Sequence, residues 1–282
     1  MTEDRTFDEL SYLRNEVKRL RHSLNVLTPG LDAILKRRGF TVYKKEPGDD
    51  VLIPENRFLD VYYGMLHKYS FRLFLRDVIK HQDYFTLEKV TRYATPEVTG
   101  EYIEYLRHIG LSKRVDYGFA LVRRMKSFGE TLEWYVSEVL KREMGAEATW
   151  GVKFKRPKIG GDYDVLARLD GSLLYAEVKS SPPKQIYDSE IAAFLDRISD
   201  LAPEISIFLM DTELRMKDKI VPMFEKELEG RRIRGEGRPD VVRMEKELFR
   251  IKDRTFIINS KDSIVRNLEA VLNWYFRGRY CS

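Results

Sequence analysis

Two acidic residues and a lysine lie on consecutive strand-like segments near the middle of the chain. Asp164 comes directly before an apolar run, and Glu177 and Lys179 end the next apolar run after a glycine-containing turn at 170–172. Alternate side chains of a strand share a face, so Glu177 and Lys179 project together, and Asp164 on the partner strand can come level with Glu177. Two carboxylates beside an ammonium group suit a hard divalent cation and the phosphate that it activates. The pattern therefore predicts nuclease-like chemistry.

The alternative interpretation is a strand pair whose charged ends are merely solvated. The same three residue types occur at Glu16-Val17-Lys18, where the surroundings predict a helix and a spacing of two separates the side chains. The second copy differs in its setting, because apolar β-formers precede it and an aspartate lies on the strand before. Asp162 shares the strand face of Asp164 and is an alternative ligand. Asp164 is preferred because it directly precedes the apolar run.

From about Phe128 to the C-terminus, the chain resembles the PD-(D/E)XK, or restriction-endonuclease-like, nuclease superfamily. That family combines a helix carrying a Glu, a strand with an Asp before an apolar run, and a strand ending in Glu-x-Lys. The matching residues here are Glu133, Asp164 and Glu177-Val178-Lys179, while Tyr163 stands where the family often has proline. The resemblance implies an α/β restriction-endonuclease-like core, a mixed sheet flanked by helices. It also implies DNA hydrolysis that depends on Mg²⁺ or Mn²⁺.

A role for each matching residue follows from the resemblance and from the chemistry of phosphodiester hydrolysis. Asp164, Glu177 and the backbone carbonyl of Val178 are the expected metal ligands. Glu133 is expected to hold the metal through a water, with a purely structural helix Glu as the alternative. Lys179 orients or deprotonates the attacking water, or holds the scissile phosphate, and the sequence leaves these roles open.

Composition limits the remaining function classes. The chain has 282 residues, 43% hydrophobic and 34% charged, with a net charge of only +5. Dense mixed charge is typical of thermophile surfaces, and so small an excess leaves nucleic-acid binding to local patches. Cys281 is the only cysteine, and the four histidines are scattered, which argues against a disulfide, a thiolate zinc site or a histidine metal site. We expect a cytoplasmic protein, because no long apolar run or signal peptide is apparent.

The first of three predicted domains, residues 1–53, contains an amphipathic helix and a linker. Leucine and valine recur there at alternating steps of three and four, which forms a heptad seam. The seam predicts either a homodimer contact or a helix packed on its own domain, and we expect a homodimer. The seam residues are Leu10, Leu13, Val17, Leu20, Leu24 and Leu27.

Residues 54–126 predict three helices followed by a hairpin, which resembles a winged helix-turn-helix domain. Such domains place the third helix in the major groove of DNA. Here the third helix carries Glu97, Glu101 and Glu104, which would repel phosphates. The hairpin is basic, so the domain contacts DNA through its wing or, alternatively, serves as a protein-contact module. The candidate DNA-binding residues are Lys113, Arg114, Arg123 and Arg124.

Residues 127–282 form the predicted nuclease-like domain, in which helices and strands alternate. Basic residues just before the candidate site would follow the phosphate backbone if they lie beside the metal. They are Lys153, Lys155, Arg156 and Lys158. Two function classes remain: a metal-dependent DNA endonuclease placed by its N-terminal domain, and a non-catalytic winged-helix DNA-binding or regulatory protein with a nuclease-like scaffold. The intact Asp, Glu and Lys favour the endonuclease.

Overall fold

The computed structural model describes residues 12–17, 19, 20, 23, 28–155, 159–231 and 240–280, and for residues 279 and 280 it describes the backbone alone. The helices are α1 (Leu31–Arg37), α2 (Leu59–Leu66), α3 (Tyr69–Lys80), α4 (Leu87–Val90), α5 (Pro96–His108), α6 (Gly129–Arg142), α7 (Asp188–Leu201), α8 (Ile220–Gly230) and α9 (Ile264–Tyr280). The strands are β1 (Val42–Lys44), β2 (Ser112–Val115), β3 (Gly118–Leu121), β4 (Glu147–Phe154), β5 (Tyr163–Leu169), β6 (Ser172–Lys179), β7 (Ile205–Met210), β8 (Val241–Glu245), β9 (Leu248–Ile251) and β10 (Thr255–Asn259). Short 3₁₀ helices cover Asn56–Phe58 and Pro183–Gln185.

Eight of the described strands form one mixed sheet in the order β1-β4-β5-β6-β7-β10-β9-β8. β7 pairs in parallel with β6 on one side and with β10 on the other, and the remaining neighbours are antiparallel. The centre of the sheet is almost wholly apolar, as expected for strands covered on both faces. This agrees with the predicted mixed sheet flanked by helices.

Two hydrophobic cores lie on opposite faces of this sheet. On one face, α6 and α9 pack with the inward side chains of β5 and β6, such as Val165 and Ala176. On the other face, α1, α7 and α8 pack with Leu166, Tyr175 and Phe208. Consecutive residues of β5 and β6 therefore point to opposite cores, which is the period-two pattern of a buried strand.

The helices α2 to α5 share the first core with the sheet. Phe71 and Leu75 of α3 belong to the same apolar cluster as α6. A buried ion pair adds to this contact: Arg72 of α3 donates to Asp211, just after β7, with Nη2 to Oδ1 at 2.8 Å, and both side chains are at most 1% exposed. Arg76 reaches the other oxygen of Asp211 at 2.5 Å. Burial alone would raise the pKa of Asp211, but the two guanidinium groups outweigh it and lower that pKa.

The helix and hairpin elements predicted for residues 54–126 are present. Thr95 caps α5 through its side chain, Pro96 opens the helix, and Gly110 with φ +76° follows its end. β2 and β3 form the hairpin, and Phe85 makes an isolated antiparallel bridge to Phe119 of β3. From α3 onward, the order of elements is thus a helix, the bridge at Phe85, the short helix α4, the helix α5 and the hairpin of β2 and β3.

The N-terminal seam and one loop lie largely outside the described residues. Within the described part, the seam residues Leu13, Val17 and Leu20 are 51%, 46% and 51% exposed. Leu10, Leu24 and Leu27 lie outside it, as do Arg156 and Lys158. No helix in the described part of the chain is long and apolar enough to span a membrane.

The sequence pattern missed one part of the sheet. β8 and β9 form a hairpin at the edge, with Lys246 at its turn in the left-handed conformation, φ +40°. We expected no strand between residues 239 and 254. β8 is the edge strand and is largely exposed, so its charged residues weakened the apolar signal. β9 is mostly buried, but it has only four residues.

Candidate functional site

The paired strands β5 and β6 bring Asp164 and Glu177 to the same place. Their ladder pairs Val165 with Ala176 and Leu166 with Tyr175. Continued by one residue, this register places Asp164 opposite Glu177, on the face that α7 covers. A side-chain bond ties the strands further, because the backbone N–H of Val178 donates to Asp164 Oδ2 at 2.7 Å. The predicted juxtaposition of these two carboxylates is therefore present.

Glu177 is buried, 2% exposed, and three donors hold its carboxylate. Lys179 Nζ lies 2.8 Å from Oε1, and Arg197 Nη1 lies 2.8 Å from Oε2. The Tyr175 hydroxyl also donates to Oε2 in a short hydrogen bond. A buried carboxylate with this many charged partners has a fixed orientation.

Sequence reasoning missed Tyr175 and Arg197. Tyr175 precedes Glu177 by two positions on the same strand, so strand alternation could have indicated it. Arg197 lies on α7, seven positions after Glu190, and two helical turns place both on one face. Glu190 meets the site as well, with its Oε1 3.2 Å from Lys179 Nζ. Nothing in the sequence showed that this face of α7 covers the end of β6.

Lys179 is a firmly protonated cation in this arrangement. Burial alone would lower the pKa of Lys179, but the carboxylates of Glu177 and Asp164 outweigh it and raise that pKa above its ordinary value. The same balance between burial and Glu177 raises the pKa of Arg197. A lysine held in its charged form suits binding of a phosphate or orientation of a water better than removal of a proton.

Glu133, near the start of α6, approaches Asp164 from the other side of the site. Its carboxylate has no hydrogen-bond or ion-pair partner among the described residues. Burial, followed by the nearby charge of Asp164, raises the pKa of Glu133. Burial and then Glu177 raise the pKa of Asp164 in turn. These carboxylates repel one another, and a cation between them would relieve that repulsion.

A glycine in β4 makes room for Pro47 beside the site. Gly151 of β4 has φ +58° and stands beside β5 at the level of Asp164. A Cβ added to Gly151 would lie 2.5 Å from Pro47 Cδ, and 3.9 Å from Glu133 Oε2. Both the left-handed backbone and the contact with Pro47 require glycine here. The strand can therefore pass close to the site.

The oxygen donors at the site are of the type that a hard cation prefers, but they are not arranged as a complete set of ligands. Mg²⁺ and Mn²⁺ prefer carboxylate oxygens, and the mutual repulsion of Glu133 and Asp164 favours a positive charge between them. No three His, Cys, Asp or Glu side chains of the described residues stand close enough together to hold a metal ion. Direct ligation by Glu177 would use the second lone pair of Oε1, since Lys179 bonds to the first and Arg197 and Tyr175 both bond to Oε2. Glu133 and Asp164 are thus the pair best placed to bind first.

The remaining predicted residues near the site lie outside the carboxylate cluster. Asp162, the alternative ligand, pairs with Lys153, Nζ to Oδ2 at 2.8 Å. Lys155 is exposed at the end of β4. Asp162 thus has a partner of its own outside the carboxylate cluster, although its charge still contributes to the raised pKa of Glu133.

The four basic residues of the hairpin region fall into two groups. Lys113 and Arg114 are exposed on β2. Arg123 instead donates to the carbonyls of Gly48, at 3.0 Å, and Val51. Arg124 pairs with Asp83 at 2.8 Å while remaining 81% exposed. Arg123 therefore fixes a loop, and the other three side chains remain accessible.

Comparison with known proteins gives a likeness of fold. No protein-family model and no curated protein matches the chain. Can2 from Sulfobacillus thermosulfidooxidans, solved in complex with cyclic tetra-adenylate (cA4), matches with a TM-score of 0.50 and 16% identity over 87% of this chain and 60% of that one. Protein VC1899 from Vibrio cholerae matches with a TM-score of 0.44 and 12% identity over 68% of this chain and 54% of that one. The chain thus spans about three fifths of the length of Can2, whose likeness supports the mixed α/β fold alone.

Proposed function

We propose that the protein is a metal-dependent DNA endonuclease that hydrolyses phosphodiester bonds. The observation that carries the proposal is the meeting of Asp164, Glu177 and Lys179 at the end of β6. Beside them lies Glu133, whose carboxylate has no hydrogen-bond or ion-pair partner within the part of the chain that the structure describes. The order of these residues along the chain is that of the PD-(D/E)XK pattern. Their geometry adds what the order alone lacks, namely carboxyl groups close enough to raise one another's pKa beside a fixed cation.

Each residue then has a part in the reaction. Glu133 and Asp164 would hold Mg²⁺ or Mn²⁺, with Glu177 and the Val178 carbonyl completing its ligands. When bound, the metal would make a coordinated water more acidic and neutralise charge on the phosphate. Lys179, held protonated, binds a phosphate oxygen or orients the water. Arg197 and Tyr175 hold the Glu177 carboxylate in place.

The helical region is proposed to position this site on DNA as a winged-helix-like domain comprising residues 54–126. The bridge between Phe85 and Phe119, followed by α4, α5 and the hairpin, supports this proposal. Lys113 and Arg114 are exposed on the wing and suit phosphate contacts. The alternative is a protein-contact module, in which case these side chains contribute nothing to DNA affinity.

A homodimer is part of the same proposal, because two active sites on one duplex permit cleavage of both strands. The exposed seam residues Leu13, Val17 and Leu20 support it. Three apolar side chains on one exposed helix face suit contact with a second copy.

The decisive experiment is a cleavage assay with Mg²⁺ or Mn²⁺ on linear, supercoiled and branched DNA. Asp164→Asn should abolish cleavage and leave DNA affinity unchanged, because it removes a ligand oxygen without adding bulk. Asp162→Asn is the matched control, since this nearby acid pairs with Lys153, and it should retain most activity. Equal loss in both variants would show that Asp164 is not specifically required.

A second candidate function, a non-catalytic DNA-binding or regulatory protein, is favoured by one observation. Both oxygens of Glu177 are already bonded to protein donors, as in a purely structural ion-pair network. In that case the protein would bind DNA with a strong salt dependence and cut none of the three substrates with either metal.

A further inference from the structure

An exposed tyrosine stands at the start of the helix that covers the candidate site. Tyr187 directly precedes α7 and is 70% exposed. Its ring is a large apolar surface that carries a hydroxyl group, a combination common where proteins contact ligands. The contacts of its backbone place this ring close to the catalytic lysine.

Two contacts connect Tyr187 to the ammonium group of Lys179. The backbone N–H of Tyr187 donates to Glu190 Oε2 at 3.0 Å, and Glu190 Oε1 lies 3.2 Å from Lys179 Nζ. A single carboxylate group therefore bridges the two residues. Less than about 9 Å separates the ammonium nitrogen from the backbone nitrogen of Tyr187. This span is comparable to the length of one nucleotide in an extended strand.

The exposed part of the lysine network lies on the side of Tyr187. The side chains of Lys179 and Glu190 are 20% and 30% exposed, whereas that of Glu177 is 3% exposed. A phosphate that contacts the Lys179 ammonium group therefore meets this exposed part, next to the start of α7. A base attached to the neighbouring sugar then comes within reach of the Tyr187 ring.

The loop that carries Tyr187 is held in place by the protein itself. Lys219 Nζ donates to the backbone carbonyls of Lys184 and Ile186, at 2.9 and 3.0 Å. Ile186 is buried in the core on the α7 side of the sheet, and α7 begins directly after Tyr187. Because both flanks of Tyr187 are fixed, little ordering entropy is lost when a base packs on its ring.

The same loop supplies a cation for the strand that carries the base. Lys184 is exposed, and its ammonium group has no hydrogen-bond or ion-pair partner among the residues that the structure describes. The acidic neighbour Asp188 is paired with Lys226, Oδ2 to Nζ at 2.5 Å, which offsets its repulsion of phosphate. An aromatic ring for the base and a cation for the backbone are the usual means of binding a single strand.

We propose that Tyr187 stacks on an unpaired base next to the scissile phosphate, while Lys179 contacts that phosphate and Lys184 a neighbouring one. This inference rests on the proposed nuclease function and specifies its substrate: DNA that is single-stranded, or locally opened, at the point of cleavage. Every base has a π-face, so the ring selects for an unpaired base and not for a particular sequence.

Binding of two matched strands to the full chain in metal-free buffer tests the proposal without cleavage. One probe is a thymidine heptamer, and the other has the same phosphates with stable tetrahydrofuran residues in place of every nucleoside. Affinity is measured by fluorescence anisotropy. We expect the wild type to bind the thymidine heptamer about tenfold or more tightly than the abasic one, as stacking on an aromatic side chain provides.

Tyr187→Ala should weaken binding of the thymidine heptamer by about tenfold and leave binding of the abasic heptamer nearly unchanged. Tyr187→Phe and Tyr187→Trp keep an aromatic ring and should keep the preference for bases. A blunt-ended duplex should bind the wild type and Tyr187→Ala equally well, because its bases are paired and stacked on one another.

Tyr12→Ala is the matched control, since Tyr12 is 68% exposed but belongs to the N-terminal segment, and it should bind both heptamers as the wild type does. A wild type that does not bind the thymidine heptamer more tightly than the abasic one would overturn the proposal. So would an equal loss for both heptamers in Tyr187→Ala, or a Tyr187→Phe variant that behaves like Tyr187→Ala.

Adding Mg²⁺ to the thymidine heptamer and to the duplex separates this inference from the proposed function. Cleavage that is the same in the wild type and in Tyr187→Ala means that the nuclease proposal stands and the stacking role of Tyr187 is wrong. A preference for bases that depends on Tyr187, with no cleavage of either substrate, means that the stacking surface stands and the nuclease proposal is wrong.

Discussion

Replacing Glu133 by glutamine should stabilise the metal-free protein at neutral and higher pH. The pKa of Glu133 is raised from 4.5 to about 10, chiefly by burial and next by Asp164. In metal-free buffer at pH 7.5, the Glu133 carboxyl is therefore protonated in the folded protein and ionised in the unfolded chain. Each pH unit above the unfolded pKa lowers the free energy of unfolding of the wild type by about 1.4 kcal/mol. At pH 7.5 the glutamine variant therefore gains at most about 4 kcal/mol over the wild type. Because the carboxyl is partly solvated, we expect about half of that.

The sign of the pH dependence is specific. A carboxyl whose pKa is raised by folding costs no stability below its unfolded pKa, because it is protonated in both states. Between the unfolded and the folded pKa, the free energy of unfolding falls as pH rises. The difference between Glu133→Gln and wild type should thus be near zero at pH 4 and grow up to about pH 9. With roughly 2–4 °C per kcal/mol for a chain of this size, the melting temperature at pH 7.5 should rise by about 4–8 °C.

Thermal unfolding with EDTA, and then with Mg²⁺, tests this reasoning. Mg²⁺ should raise the melting temperature of the wild type more than that of the variant, because the variant lacks the ionisable ligand. Glu138→Gln on the same helix is the matched control: Glu138 pairs with Lys141 and Arg142, so its loss should not stabilise. A melting temperature of Glu133→Gln equal to or below wild type at pH 8 would refute the argument.

Three further perturbations test other parts of the molecule. Asp211→Asn should lower the free energy of unfolding by about 3–5 kcal/mol in urea denaturation, because it leaves buried guanidinium groups without their counter-charge; the wild-type contribution is lost as pH falls through the lowered folded pKa of Asp211. Charge reversal at Lys113 and Arg114 should weaken DNA binding and reduce its salt dependence, whereas Glu104→Lys should leave binding unchanged or strengthen it, as anisotropy at several salt concentrations can show. Val17→Ser should shift a dimer toward monomer in sedimentation, and an unchanged sedimentation coefficient would contradict the dimer.

Glu177 is also an expected metal ligand, but its removal would affect more than metal binding. Because Glu177 is buried between Lys179 and Arg197, Glu177→Ala should also destabilise the protein. Asp164→Asn is consequently the cleaner test of catalysis.

The sequence by itself determined the elements and the pairing of the two central strands. Two apolar runs joined by a short glycine-containing turn set the register that brings Asp164 level with Glu177. The sequence pattern also predicts a helix at residues 188–201 and strands at 205–210 and 255–259, and these bounds agree with those of α7, β7 and β10. These features depend on local periodicity and turn chemistry, which a single segment carries within itself.

The tertiary structure alone decided what surrounds that pair. Arg197 reaches Glu177 because α7 packs over β6, and Glu133 comes near Asp164 because α6 packs against β5. Such contacts join segments far apart in the chain, and no short pattern encodes which helix face meets which strand end, because burial of apolar surface is non-directional and shape decides the packing.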